Sequence, residues 1–320
     1  MKFLMIPVTL LMMSLNLYAA NSVIADKVTE SVLLDIAVAG DNKLVAVGER
    51  GHILISDNEG DDWRQVIVPT DAMLTSVYFV DSQIGFAVGH QQAILKTTDG
   101  GENWQLIYEM KDALDYPALL DVWFKDSNNG VAVGAYGLYL VTSNGGVTWE
   151  QLPLLELEDP DFGLPHWYAL AFDSKSSRLY MSGELGFLVV SEDFGKTWEK
   201  IESPYSGSFF NVSVTPSGSL LVMGLRGNFF FSADGGDTWS KVESSSTASI
   251  NNAVMIGGTQ MVYLAMDGVI LLSNDDGKTI SLKQRKNRTS LMSAVTAGVN
   301  RIVAVGDKGV ELLNFSGESL

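Results

Sequence analysis

The feature that most restricts this chain is a repeat. Small residues that close a short apolar run, Gly48, Gly89, Gly134, Gly183, Gly224, Ala265 and Gly306, recur at steps of 41, 45, 49, 41, 41 and 41 residues. Fifteen positions after five of them stands a tryptophan: Trp63, Trp104, Trp149, Trp198 and Trp239. The same offset reaches Ile280 in the sixth block and runs past the last residue in the seventh. A period of this length marks supersecondary units that bury their apolar faces only by stacking on one another.

The second block shows the internal order. Apolar stretches at 75–80, 84–88 and 93–96 are separated by short polar turns, and a tight turn at 97–103 leads to a fourth stretch from Trp104. Four short strands per unit describe one blade of a propeller. No block holds a ten-residue run with helical apolar spacing, which excludes an α-solenoid. The expected fold is therefore all-β, a seven-bladed β-propeller of four-stranded blades occupying residues 20–320. The seventh block ends before its fourth strand. One period before Trp63 lies Ser22, so residues 22–27 are expected to supply that missing strand and close the ring. Pairing the two ends would remove two free sheet edges.

The recurrent turn reads Ser/Thr-x-Asp-x-Gly-x-Thr-Trp. It is complete at Ser191-Asp193-Gly195-Thr197-Trp198 and Ser232-Asp234-Gly236-Thr238-Trp239, nearly so in three other blocks, and decayed at Ser273-Asp275-Gly277-Thr279-Ile280. Short carboxylate, amide and hydroxyl side chains bind backbone within such a turn. Glycine admits a left-handed backbone, and the indole roofs the turn. Gly-x-x-Gly pairs lead into it, as at Gly48/Gly51, Gly183/Gly186 and Gly224/Gly227. On these residues the chain resembles the BNR/Asp-box repeat proteins from about residue 22 onward. Within that group it is most similar to the photosystem II stability/assembly factor-like family. The resemblance implies a non-catalytic scaffold that docks on a membrane-protein partner. The chain departs from plant and cyanobacterial members in its acidity and in lacking a clustered arginine patch, which points to a different envelope client.

Charge supports a protein partner. With 38 acidic and 21 basic residues the formal net charge is −17, a surface that repels nucleic acid and anionic lipid and attracts basic partners. Lys2 followed by an apolar run from Phe3 to Leu15, then Ala19 and Ala20, reads as a signal peptide over residues 1–19. That run is shorter than the ~20 residues a spanning helix needs. The chain has no cysteine, so neither a lipidated cysteine nor disulfides are expected, and the expected location is periplasmic or secreted.

Signs of catalysis are weak. A sialidase needs three convergent arginines; the seven here are scattered, and the Phe/Tyr-Arg-Ile-Pro motif is missing. His52, His90 and His166 fall in different blades without metal-ligand spacing. Asn274-Asp275-Asp276-Gly277 looks like a calcium loop but lies in phase with the recurrent turns. No enzyme activity, cofactor or metal is expected.

Irregular spacing points elsewhere. The connections after Trp104 and Trp149 are longer than the others by four and eight residues. They lie on the face opposite the recurrent turns, and added loop length is where repeat proteins place recognition. The expected partner-binding residues are Asp112, Asp115 and Tyr116 in the first loop. In the second they are Glu156, Glu158, Asp159, Asp161, Phe162, His166 and Trp167. Acids mixed with aromatic rings suit a basic or amphipathic protein segment from an envelope complex or exporter. A sugar stacked on the rings, in a carbohydrate-binding or glycoside-hydrolysing propeller, is the alternative. The short turns around the axial mouth, among them Ala135-Tyr136 and Glu184-Leu185, are further candidates.

Overall fold

The computed structural model describes residues 20–110 and 116–320. The expected signal segment lies outside them, as do Asp112 and Asp115. Among the described residues the strands form seven antiparallel sheets, six of four strands and one of three. Each is a simple meander; the first comprises Leu33–Val38, Leu44–Gly48, Ile53–Ser56 and Arg64–Val66. The innermost strands of successive sheets lie side by side, and Leu33–Val38 packs beside Leu291–Thr296 of the last sheet. The result is the expected seven-bladed β-propeller.

Burial follows position in the blade. Second strands such as Leu44–Gly48, Gly130–Gly134 and Ile302–Gly306 are buried throughout, whereas the outer Glu150–Gln151 and Ser240–Lys241 are exposed. A second strand is covered on both faces by neighbouring blades, which explains its unbroken apolar sequence. The Gly-x-x-Gly pairs serve the next turn. A Cβ on Gly48 would collide with the Val32 carbonyl, and Gly51 has φ of 67° against the Thr70 carbonyl. Both positions need the missing side chain.

The recurrent turns form as their residue types require. In all six, the Ser or Thr hydroxyl accepts the glycine N–H, at 2.8 Å for Ser56 and Gly60 and 2.7 Å for Ser191 and Gly195. That hydroxyl donates to the Asp or Asn two positions on, whose Oδ1 accepts the N–H four positions beyond the hydroxyl residue's second neighbour, as in Thr238 to Asp234 at 2.9 Å. The decayed copy keeps the whole pattern, Ser273 to Gly277 included.

Ring closure differs from expectation in one respect. The last sheet has three strands, and residues 22–27 do not complete it. They lie along blade one instead. Ser22 N–H donates to the Val68 carbonyl at 2.9 Å, and the Gln65 side chain takes Ala25 N–H and donates to the Val23 carbonyl. The open edge of blade seven is met by the chain's own end. Asn314 Oδ1 accepts Ser316 and Glu318 N–H, and Gly317 has φ of 73°. This turn folds the chain back so that Leu320 N–H reaches the Leu312 carbonyl at 2.9 Å. Side chains then seal blades seven and one, with Val303 and Val305 packed among Leu33, Ile36, Leu44 and Leu54. Arg301 also binds Asp61 Oδ1 at 2.8 Å across the seam.

Candidate partner-binding site

An antiparallel meander puts its second-to-third turns and its inter-blade connections on one face. Loop 152–166 joins blades three and four there. It is built around two leucines, Leu154 and Leu157, both buried beside Trp198 in one apolar cluster. Beyond them Asp159 and Gly163 exchange backbone hydrogen bonds at 2.8 and 2.9 Å, and Asp159 Oδ1 accepts the N–H of Asp161 and of Phe162. Asp159 is thus committed to holding the turn. That turn presents Phe162, 74% exposed, between Asp161 and Gly163, while Glu156 and Glu158 stand exposed nearby in sequence. The loop then lies down on blade three, where Gly137 N–H donates to the Pro165 carbonyl at 2.9 Å.

Tyr136, in that blade-three turn, is 72% exposed and holds a left-handed φ of 54°. Its ring meets His166 edge-on, with centroids 4.5 Å apart. His166 leads to Tyr168 at 6.2 Å, and Tyr168 meets Phe210 at 5.2 Å. An aromatic string therefore runs across blades three, four and five. Glu184 lies beneath it, its Oε2 3.9 Å from His166 Nε2 and 3.4 Å from the His166 N–H that it accepts. Burial and, secondarily, the charge of Glu184 push the Tyr168 phenol above its ordinary range.

Of the expected residues, Glu156, Glu158, Asp161 and Phe162 are exposed in the second loop, Asp159 and His166 are partly exposed there, and Tyr116 is partly exposed in the first. Trp167 departs from the expectation. It is fully buried, and its indole meets Phe187 edge-on at 5.9 Å. It opens an inner strand, the position that Leu33, Leu74, Leu119, Phe209, Ile250 and Leu291 occupy in the other blades, all buried. It therefore offers no platform to a sugar or a peptide. Tyr136, Tyr168, Phe210 and Glu184 join the site instead. Tyr136 and Glu184 lay in turns already marked as candidates, whereas nothing in single-sequence spacing aligns Tyr168 with Phe210.

A second polar arrangement lines the axis. Thirteen residues before each marker stand Asp35, Ser76, Asp121, Asn211, Asn252 and Ser293, with Ala169 fourteen before Gly183. These positions share one level of the channel. Asp35 Oδ2 accepts Val77 N–H at 2.9 Å, and Asp121 Oδ2 accepts Leu170 N–H at 2.7 Å. Each carboxylate thus satisfies the free edge of the next blade's inner strand. Both acids border a cavity of about 400 Å³, with Tyr78, Trp123 and Phe172 in its wall.

Across known proteins, the model of the photosynthesis system II assembly factor YCF48 family matches residues 55–314. The chain belongs to that family. Photosystem II assembly protein Ycf48 of Thermosynechococcus vestitus is 35% identical over 164 residues, 51% of this chain and 45% of that protein. A photosystem II assembly lipoprotein Ycf48 of Trichormus variabilis is 46% identical over 44 residues, 13% of each chain. These matches span less than half the length of the curated relatives. A solved YCF48 bound to D1 peptide shares the fold, with a TM-score of 0.70 at 20% identity over 88% of this chain and 93% of that one.

The arginines of this Ycf48-family chain are dispersed. Arg64, Arg178, Arg285, Arg288 and Arg301 are each paired with carboxylates. Arg50 and Arg226 stand exposed in separate turns on the long-loop face.

Proposed function

We propose that this Ycf48-family propeller is a non-catalytic scaffold that works in the periplasm or outside the cell. It holds a segment of a partner membrane protein, such as an envelope complex or exporter in assembly, on its long-loop face. The observation that carries this reading is the aromatic string Tyr136–His166–Tyr168–Phe210 beside the acidic 156–162 loop. Exposed rings supply large contact area at low entropic cost, and the acids favour capture of a basic segment. The family's name and the YCF48–D1 peptide structure support a polypeptide partner. Among the described residues no helix is long and apolar enough to cross a membrane.

The test is affinity capture from the organism's own envelope fraction with residues 20–320, identified by mass spectrometry. The same capture is repeated with Glu156, Glu158 and Asp161 reversed to lysine. One membrane complex retained by the native protein and lost by the variant supports the reading. Equal capture by both removes this face from consideration. Turnover of a glycoside panel by the native protein would overturn the non-catalytic assignment.

A further inference from the structure

Ser76 Oγ stands between two carboxylates at the propeller axis, 2.9 Å from Asp121 Oδ1 and 3.1 Å from Asp35 Oδ2. A serine hydroxyl has one hydrogen to donate. If both acids were ionised, one of those two contacts would set lone pairs against lone pairs. Both become hydrogen bonds only when one carboxyl carries a proton and donates it to Ser76. We propose that Asp35, Ser76 and Asp121 form a clasp that holds one proton among them, joins blades one, two and three at the axis, and slackens when the proton leaves.

Among the described residues, the surroundings offer that proton no competing cation. The N–H groups of Val77 and Leu170 and the Ser293 hydroxyl, as donors to the acids, act against burial and favour the ionised form. Strand Leu74–Phe79 contributes Tyr78, whose hydroxyl donates to the Phe124 carbonyl. Strand Trp167–Asp173 contributes the Leu170 N–H, with Tyr168 and Asp173 at its two ends. Strand Leu291–Thr296 contributes Ser293, a hydrogen-bond partner of Asp35, which in turn accepts from Asn252 at 3.4 Å. The second strands Leu44–Gly48, Gly85–Gly89 and Gly130–Gly134 carry no titratable side chain. Among the described residues no lysine, arginine or histidine is paired with either acid. A doubly ionised pair would leave two like charges uncompensated at short range. Burial, with the charge of Asp35 as a smaller contribution, pushes Asp121 up to about 7, and burial raises Asp35 as well. The two titrate as a unit.

The sign of the effect follows. A carboxyl raised from 3.8 to about 7 in the folded protein binds its proton more tightly there than in the unfolded chain. Its contribution to stability is full below about pH 4 and is lost as pH rises through about 7. The clasp therefore tightens the propeller in mild acid and relaxes it in mild alkali.

Asp121→Asn provides the decisive comparison. An amide keeps a carbonyl for Leu170 N–H and offers a permanent donor to Ser76, while giving up the Val122 N–H that Asp121 Oδ1 accepts at 2.8 Å, a loss that does not vary with pH. Urea unfolding of residues 20–320 is measured from pH 5 to pH 8 for the native protein and the variant. The native unfolding equilibrium constant is expected to rise by roughly tenfold or more relative to that of the variant across this range. A ratio that does not change with pH overturns the proposal. Carboxyl-carbon NMR of the native protein gives a reading independent of how the variant folds. One aspartate resonance is expected to titrate near neutrality, and its assignment to Asp35 or Asp121 is checked with Asp35→Asn. If every aspartate titrates below pH 5, no proton is held.

Discussion

His166 and Tyr136 meet edge to face, their ring centroids 4.5 Å apart and their planes at 68°. The pair joins the loop that crosses from blade three to blade four with the short turn of blade three beneath it. Because Tyr136 is 72% exposed, it adds little to folding and leaves its ring available. Tyr136→Ala is expected to change stability by less than about 1 kcal/mol while weakening partner capture by about tenfold or more, as for an aromatic anchor. Thermal unfolding and binding of the captured partner, measured on the same preparation, separate the two effects.

Trp167 gives the opposite pattern. Its indole is fully buried among Trp123, Leu157, Leu179 and Met181. Trp167→Ala is expected to cost about 3–5 kcal/mol in urea unfolding. Trp167→Phe, which keeps most of the apolar volume, should lose less. A surface role would show instead as lost binding at unchanged stability.

Arg285 and Glu311 form an ion pair between blades six and seven, with side chains only 5% and 17% exposed. Removing one partner leaves a mostly buried charge without compensation. Arg285→Ala is expected to destabilise by about 3 kcal/mol. The double replacement Arg285→Met with Glu311→Leu should recover most of that loss, and the four unfolding free energies of this cycle measure the coupling.

The recurrent turns set the acid limb of stability. Asp234 is held down at about 2 by hydrogen bonds from the Thr238 hydroxyl and amide and from Ser232. Asp99, Asp193 and Asp275 are held below the usual carboxylate range in like turns; each is raised by its partial burial and lowered further by such bonds. Groups depressed in this way stabilise the fold above about pH 4, and that contribution disappears as pH falls through their folded values. The melting temperature should therefore fall between pH 4 and pH 2. Asp193→Asn, which cannot titrate, should flatten that slope in a pH series of melting curves.

Ser273 tests whether the decayed turn still matters. Its hydroxyl accepts Gly277 N–H at 2.9 Å and donates to Asp275 although Ile280 has replaced the tryptophan. Ser273→Ala strands a buried N–H and is expected to cost about 1–3 kcal/mol, read by chemical denaturation.

The repeat made the architecture legible because every blade solves the same packing problem with the same residue types. The period, the Gly-x-x-Gly turns and the hydroxyl–carboxylate turns are local requirements, and local requirements are written in spacing. The burial of Trp167 was not written in that phase, since the other inner strands open with Leu, Phe or Ile fifteen residues before their marker whereas Trp167 stands sixteen before Gly183. Its neighbourhood in an acidic, aromatic loop pointed to exposure. The closure of the ring was not local. Whether residues 22–27 joined blade seven or blade one depended on Gln65, whose amide holds Val23 and Ala25, and on the Asn314–Gly317 turn that folds the chain end back on itself.

By itself, then, the sequence determined a seven-bladed all-β ring, the form of its turns and the face carrying the long loops, because each depends on residues close together in one repeat. Only the tertiary structure decided which side chains from different blades meet. Tyr136 finds His166, Tyr168 finds Phe210, and Ser76 falls between Asp35 and Asp121, which are 41 and 45 residues away along the chain. The twist and stagger of adjoining blades set those meetings, and they lie beyond the reach of any spacing rule within a single repeat.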